Sequence, residues 1–199
     1  MTSVIYTIGH STHGGEKLID LLKRHEINAV GDVRSSPYSR INPQFNRNSI
    51  RDALRAHDIT YVFLGEQLGA RTKDQSCYEN GKVRYDRLAR TEAFRRGIER
   101  VKKGSESHRL ALLCAEKDPI FCHRMILISR PLVDEGFDLH HILESGEVET
   151  QVHAEERLLR RLRISESDLF RPRAAAVAEA FRRQGEAIAY QEPSNWNRD

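Results

Sequence analysis

One stretch limits the fold more than any other: residues 108–124, HRLALLCAEKDPIFCHR, where an apolar run passes directly into a polar loop holding two of the three cysteines. Leu110, Ala111, Leu112 and Leu113 are consecutive and apolar, the pattern of a strand covered on both faces. Asp118 followed by Pro119 is a helix-start signal, with Asp as N-cap and Pro at the first helical position. The spacing therefore predicts strand, loop, helix. In an open parallel sheet such a loop lies beyond the carboxyl ends of the strands, where ligands bind. Cys114, Glu116, Cys122, His123 and Arg124 are thus expected where chemistry is done, with Cys122 in the first turn of a helix that kinks or ends near Pro131.

The rest of the chain repeats this unit. Residues 3–8 read as a buried strand, followed by a glycine-flanked loop (Gly9 to Gly15, with His10, Ser11 and His13) and a helix through Leu18, Ile19, Leu21 and Leu22. A second strand over 27–33 ends in Asp32, Arg34, Ser35, Ser36 and Pro37. The polar loop that follows, with Arg40, Gln44 and Asn46, is long enough to suggest a substrate-facing segment. A short helix over 47–57 precedes a third strand at 60–64, and residues 65–81, which include Cys77, read as an ordered loop or flap. Leu88, Phe94, Ile98 and Val101 give a helical stripe, and residues 138–143 form a fifth strand in which His140 and His141 point to opposite faces. Alternation of this kind predicts an α/β fold, a mainly parallel, Rossmann-like sheet of about five strands with helices on both faces. The core domain is expected over 1–150. Residues 151–199, rich in Ala, Arg and Glu, are expected to form a helical extension that packs on the core or meets a second copy of the chain.

A length of 199 residues, 39% hydrophobic and 31% charged, suits one soluble domain. The formal charge of +3 is unevenly spread, because residues 82–103 hold nine Lys and Arg against three acids. Such a segment can meet phosphates, and it can equally be a solvated face. Three cysteines without a regular framework argue against a disulfide-built secreted domain. The chain enters its first strand without a charged, apolar leader and has no run of membrane-spanning length, so a cytoplasmic protein without membrane contact is expected.

Three chemistries are open at the loops. Cys122 at a helix start, beside His123 and Arg124, suits a stabilised thiolate; the bland alternative is a small buried apolar residue. A phosphatase of the cysteine-loop-arginine type is disfavoured, because the segment from Cys114 to Arg124 is too long, lacks glycine and contains Glu116 and Asp118. Metal ligation would draw on Cys114 and His123, with Glu116, Cys122, His10 and His13 within reach if the first and fourth loops converge, and zinc or iron would suit such a mixed donor set. Acid-base chemistry without a metal would use Glu116 and His10 for proton transfer, while Arg34, Ser11, Arg40, Asn46 and Arg124 hold an anionic substrate.

Several of these segments carry a resemblance. YTIGHSTH at 6–13, DVRSSP at 32–37 with PQFN at 43–46, YVFLGEQLG at 61–69 and CAEKDPIFCHR at 114–124 together resemble the domain-of-unknown-function 488 family. The likeness covers most of residues 4–144, and HHIL at 140–143 fits the family's final strand. It implies a compact α/β domain and marks Gly9, His10, Ser11, Asp32, Arg34, Pro37, Asn46, Gly65, Cys114, Glu116, Cys122, His123 and Arg124 as shared loop residues, without assigning roles. Ala70 departs from it, standing where a second glycine is expected after Gly69.

The expectation is an enzyme acting on a nucleotide, nucleic acid or other phosphorylated or anionic substrate at the carboxyl edge of the sheet. The competing expectation is a nucleic-acid-binding or redox-regulatory module that uses residues 82–103.

Overall fold

The computed structural model describes residues 3–166 and 172–193; residues 167–171 and 194–199 of the expected extension lie outside the described residues. Strand β1 (Val4–Gly9) leads to α1 (Gly15–Arg24), β2 (Ala29–Asp32), α2 (Arg47–Arg55) and β3 (Thr60–Phe63). A short α3 (Gly65–Leu68) precedes a hairpin of β4 (Tyr78–Glu79) and β5 (Lys82–Val83), then α4 (Tyr85–Leu88) and α5 (Glu92–Ser105). Strand β6 (Leu110–Cys114), α6 (Arg130–Asp134), β7 (Asp138–Ile142), β8 (Val148–Thr150), α7 (Gln151–Leu162) and α8 (Arg173–Ile188) complete the chain.

The sheet has six strands in the order β3-β2-β6-β1-β7-β8, parallel except for the antiparallel β8 at one edge. The α/β architecture follows the sequence; the extra strand is the three-residue β8, too short to carry an alternating pattern of its own. All five residues of β6 are buried, because the strand has neighbours on both edges and helices on both faces. Leu110, Leu112 and Cys114 face one apolar layer with Phe94, Ile98 and Leu132. Ala111 and Leu113 face the other, with Leu18, Leu22, Ile50 and Leu54. Among the described residues no helix is long and apolar enough to cross a membrane.

Register sets the site. Gly9 pairs with Cys114 and Asp32 with Leu113, so β1, β2 and β6 end flush. Pairing even outlasts the strands: the amides of His10 and Ser11 donate to the carbonyls of Cys114 and Ala115, both at 2.9 Å, and Val33 N–H donates to Leu113 at 3.0 Å. Three loops are thereby sewn side by side.

Two expectations are corrected. The expected flap over 65–81 contains α3 and the first strand of the hairpin, whose turn has Asn80 at φ 51° and Gly81 at φ 73°. Asn-Gly is the pair that such a left-handed two-residue turn selects. Asp118 does cap, accepting from Ile120 N–H at 3.1 Å, but the element it starts is a single 3-10 turn over Pro119–Phe121. Cys122 follows in extended conformation (φ −129°, ψ 142°) and so precedes the helix instead of lying in its first turn. A π-helical segment, Arg124–Ser129, runs into α6. The helix continues through Pro131 to Asp134; the widened segment just upstream, with Ser129 Oγ bonded to the Arg124 carbonyl at 2.9 Å, accommodates a proline that has no N–H.

Candidate metal centre

The Cys114–His123 loop brings four donor atoms together. Cys114 and His123 were the metal pair expected from sequence, and Glu116 and Cys122 complete the set: one donor atom from each lies within 4.8 Å of the others. Glu116 Oε2 is 3.0 Å from Cys114 Sγ and 3.3 Å from Cys122 Sγ. His123 Nδ1 is 3.6 Å and 3.8 Å from the same sulfurs. Ligand bonds to zinc of about 2.0–2.3 Å, opened to a tetrahedral angle, put neighbouring donors about 3.6 Å apart; the His123 separations match that spacing, while Glu116 sits closer to the sulfurs, at hydrogen-bond distance. Cys114, Cys122 and His123 are buried, whereas Glu116 is exposed.

The proton positions agree with this use. His123 Nε2 is 3.1 Å from the carbonyl oxygen of Val33, which only accepts, so Nε2 carries a hydrogen and Nδ1 is the nitrogen turned to the sulfurs. Burial opposes charge on the ring, but the Cys122 thiolate and the Glu116 carboxylate raise its pKa from the ordinary value, and a metal at Nδ1 would take the place of that proton. Outer-sphere support of this type is usual for metal-bound imidazole. Burial opposes a thiolate at Cys122, but the bond from Cys114 and the positive charge of Arg124 outweigh it and hold Cys122 well below the ordinary thiol range. Cys114, buried and donating to that thiolate, is pushed well above it.

Arg124 shapes the loop. Its side chain is fully buried, donating from Nη1 to the Glu116 carbonyl at 2.5 Å, from Nη2 to the Lys117 carbonyl at 3.0 Å and from Nε to Thr7 Oγ1 at 3.3 Å. The guanidinium faces backbone and lies outside the cavity wall. Gly9 makes the close approach possible, since a Cβ there would lie 1.8 Å from the Glu116 carbonyl oxygen.

A second assembly stands beside the first. Asp32 is fully buried and takes a bidentate pair from Arg34, at 2.9 and 2.7 Å, and the Tyr61 hydroxyl at 2.8 Å. His10 donates from Nδ1 to the Ser11 carbonyl at 2.8 Å, leaving Nε2 to accept from Arg34 Nη1 at 3.1 Å. Burial holds the imidazole neutral, its pKa lowered to about 4, and its ring stacks on Phe45 at 4.2 Å. His10 therefore positions Arg34, and both its nitrogens are engaged.

A cavity of about 480 Å³ opens over the cluster. Cys114, Glu116, His123 and Arg34 line it; Ser11, Arg40, Asn46, His10 and Cys122 do not. Asn46 instead accepts from Ser39 N–H at 2.7 Å, Ser11 N–H is used in the loop pairing and its carbonyl accepts from His10, and His13 lies 3.8 Å from Glu144. The wall also holds Ser35, Ser36, Arg71, Tyr85 and Tyr190, residues that sequence reasoning did not single out as site residues. Arg71 sits two residues after Gly69, and Tyr190 comes from far along the chain; only the serines, inside the DVRSSP motif, carried a signal.

The carboxy-terminal helices hold the loop from below. Arg157 of α7 makes a bidentate pair with Asp118 at 2.7 and 2.8 Å, and Gln184 of α8 donates to the Ile120 carbonyl at 2.7 Å. Ile120, Met125 and Ile126 pack against Ala154, Leu158 and Phe181. In the basic segment, Arg84 and Arg87 pair with Glu79, Arg96 with Glu92, and Lys102 with Glu99 and Glu135.

No curated protein and no solved structure matches the chain. The model described as domain of unknown function DUF488 matches residues 15–130, more than half of the sequence and all four residues of the donor cluster, and the chain belongs to that family.

Proposed function

We propose that this protein is a zinc-dependent hydrolytic enzyme acting on an anionic substrate. The observation that carries the reading is the asymmetry of the donor cluster: three buried ligands, Cys114, Cys122 and His123, and one exposed carboxylate, Glu116, on the wall of a polar cavity. Structural zinc sites are closed by four ligands, while catalytic sites keep three and an exchangeable fourth position. Glu116 occupies that fourth position and is the only donor of the four open to solvent.

Zinc held there supplies an acidified water whose pKa falls toward 7. With zinc on Cys114, Cys122 and His123, Glu116 would act as general base toward a water: the water oxygen would bond to the electrophilic centre as the bond to the leaving group breaks, and Glu116 would hand the proton to that leaving group. Arg34 presents the rest of its guanidinium to the substrate from a frame fixed by Asp32 and His10. Arg124 keeps the loop carbonyls turned away from the metal side.

The test is a comparison of three zinc-reconstituted proteins across a panel of phosphorylated and carboxylated esters and amides, followed by proton release. Glu116→Gln is expected to keep zinc on its three remaining ligands and lose turnover by about 100-fold or more. Cys114→Ser is expected to lose both. Full turnover by Glu116→Gln, or zinc-replete wild type inert across the panel, would contradict the reading.

A further inference from the structure

The cavity over the cluster is lined by two chemically different sets of side chains. One set is cationic and hydroxylic. Arg71 is exposed, its guanidinium lies 4.5 Å from the centre of the Tyr190 ring, and among the described residues it has no carboxylate within ion-pair distance. Arg34 nearby is already neutralised by Asp32. An unpaired guanidinium fixed by stacking is a pre-organised oxyanion binder, since the ring restrains the side chain before the ligand arrives.

Its position is built with care. Gly65 lets α3 rest on the β2 loop, where a Cβ would lie 2.0 Å from the Arg34 carbonyl oxygen. Gly69 does the same over Ser35, with 2.5 Å from such a Cβ to Oγ. The Arg71 amide then donates to Ser35 Oγ at 2.8 Å, so the cation and the hydroxyl share one rim. Tyr190 is delivered by the segment after α8, which adds to the hairpin: Val83 N–H donates to the Tyr190 carbonyl at 3.0 Å and Glu192 N–H to Gly81 at 2.8 Å.

The other set is aromatic. Tyr38 and Phe121 line the cavity while 64% and 38% exposed. Tyr38 has no ring or cation partner among the described residues. Phe121 carries the Arg161 guanidinium 4.5 Å from its ring centre, so Tyr38 is the free ring. An uncovered ring beside an oxyanion binder matches a ligand with a planar face and a phosphate, and stacking on aromatic side chains is how such faces are held without base-specific contacts. The volume suits a small ligand.

We propose that the cavity takes a nucleoside phosphate unit, with the phosphate on Arg71 and Ser35 and the base against Tyr38 and Phe121. Tyr190 acts through Arg71 as a positioning residue. The inference deepens the zinc-hydrolase reading and rests on it for the reaction, not for binding. Free nucleotides and the 5′ end of a single strand share this chemistry.

Calorimetry on zinc-assayed full-length protein tests it, using AMP, GMP, CMP and UMP beside ribose 5-phosphate and a 5′-phosphorylated tetranucleotide. At least one monophosphate is expected to bind about tenfold or more tighter than ribose 5-phosphate. Arg71→Ala is expected to weaken it about tenfold or more, Arg71→Lys to recover part of the loss, and Tyr38→Ala to narrow the gap to ribose 5-phosphate. Tighter binding of the tetranucleotide assigns the phosphate to a strand end and weaker binding to a free nucleotide; both support the proposal. Monophosphates no tighter than ribose 5-phosphate, or folded Arg71→Ala binding like wild type, overturn it. Zinc-replete protein that binds no nucleotide sinks this inference alone, whereas nucleotide binding by a chain that takes up no zinc sinks only the metal reading.

Discussion

His123 donates from Nε2 to the carbonyl oxygen of Val33 at 3.1 Å, and this one bond decides which nitrogen faces the thiols of Cys114 and Cys122. Val33 follows β2 directly, and its own amide is fixed on the Leu113 carbonyl. The imidazole is thus oriented by the sheet, and its Nδ1 is aimed at the two sulfurs before any ion binds. Rigid support of this kind raises metal affinity.

Arg124→Ala should cost about 2–4 kcal/mol of stability, because it empties the space of a fully buried side chain and leaves the Glu116 and Lys117 carbonyls and Thr7 Oγ1 without their donor. Urea unfolding of the metal-free protein measures this directly. A change below about 1 kcal/mol would mean that the loop finds other donors.

Gly9→Ala places a methyl group against the Glu116 carbonyl. The loop must move, so a loss of about 1–3 kcal/mol is expected, together with weaker zinc retention in a competition with a chelating dye. Unchanged retention would show that the donor set tolerates displacement of its own backbone.

Acid should destabilise the fold through two buried imidazoles. Burial chiefly, opposed by the bond to the Ser11 carbonyl, lowers His10 from 6.5 to about 4. Burial and then the Arg124 charge lower His141 to about 3; its ring is held between Thr7 Oγ1 at 2.8 Å and Gln151 Oε1 at 3.0 Å. The unfolded chain takes up these protons first as pH falls, so the stabilisation is complete above about 6.5 and declines from there through 4 toward 3. Urea midpoints of the metal-free protein at pH 7.5, 6 and 5 should fall in that order, with a shallower fall for His141→Gln. A pH dependence no shallower in His141→Gln than in wild type would contradict the assignment, since the opposite contribution of His123, whose pKa is raised, is common to both.

Arg157→Ala should loosen the loop more than the fold. The guanidinium is one-third exposed, so the loss of stability is expected to stay near 1 kcal/mol or less. Amide exchange over residues 118–122 should nevertheless quicken, and unchanged exchange would remove α7 from any role in holding the site.

Much of this was legible in the chain because it depends on local pattern. The apolar run Leu110–Leu113 announced the central strand, and its polar sequel announced the site. Cys114 and His123 were readable as candidate donors from residue type alone. What sequence could not supply was distance. Cys122 and Glu116 join the shell only because a 3-10 turn and an extended residue fold the loop back on itself. His10 reads as a proton-transfer group and Arg124 as an anion binder, but in the structure their side chains contact Arg34 and the loop backbone. Arg71 and Tyr190 are separated by more than a hundred residues, and their contact depends on a hairpin whose Asn-Gly turn was the sole local clue.

Counting bound metal per chain tests the central claim most directly. Protein expressed in zinc-supplemented medium and washed with a mild chelator should retain close to one zinc per chain, with X-ray absorption reporting two sulfur neighbours at about 2.3 Å. Cys114→Ser, Cys122→Ser and His123→Ala should each release it, while Glu116→Gln keeps it. Wild type that binds no metal after reconstitution, or zinc retained by a folded Cys114→Ser, His123→Ala double variant, would contradict the account.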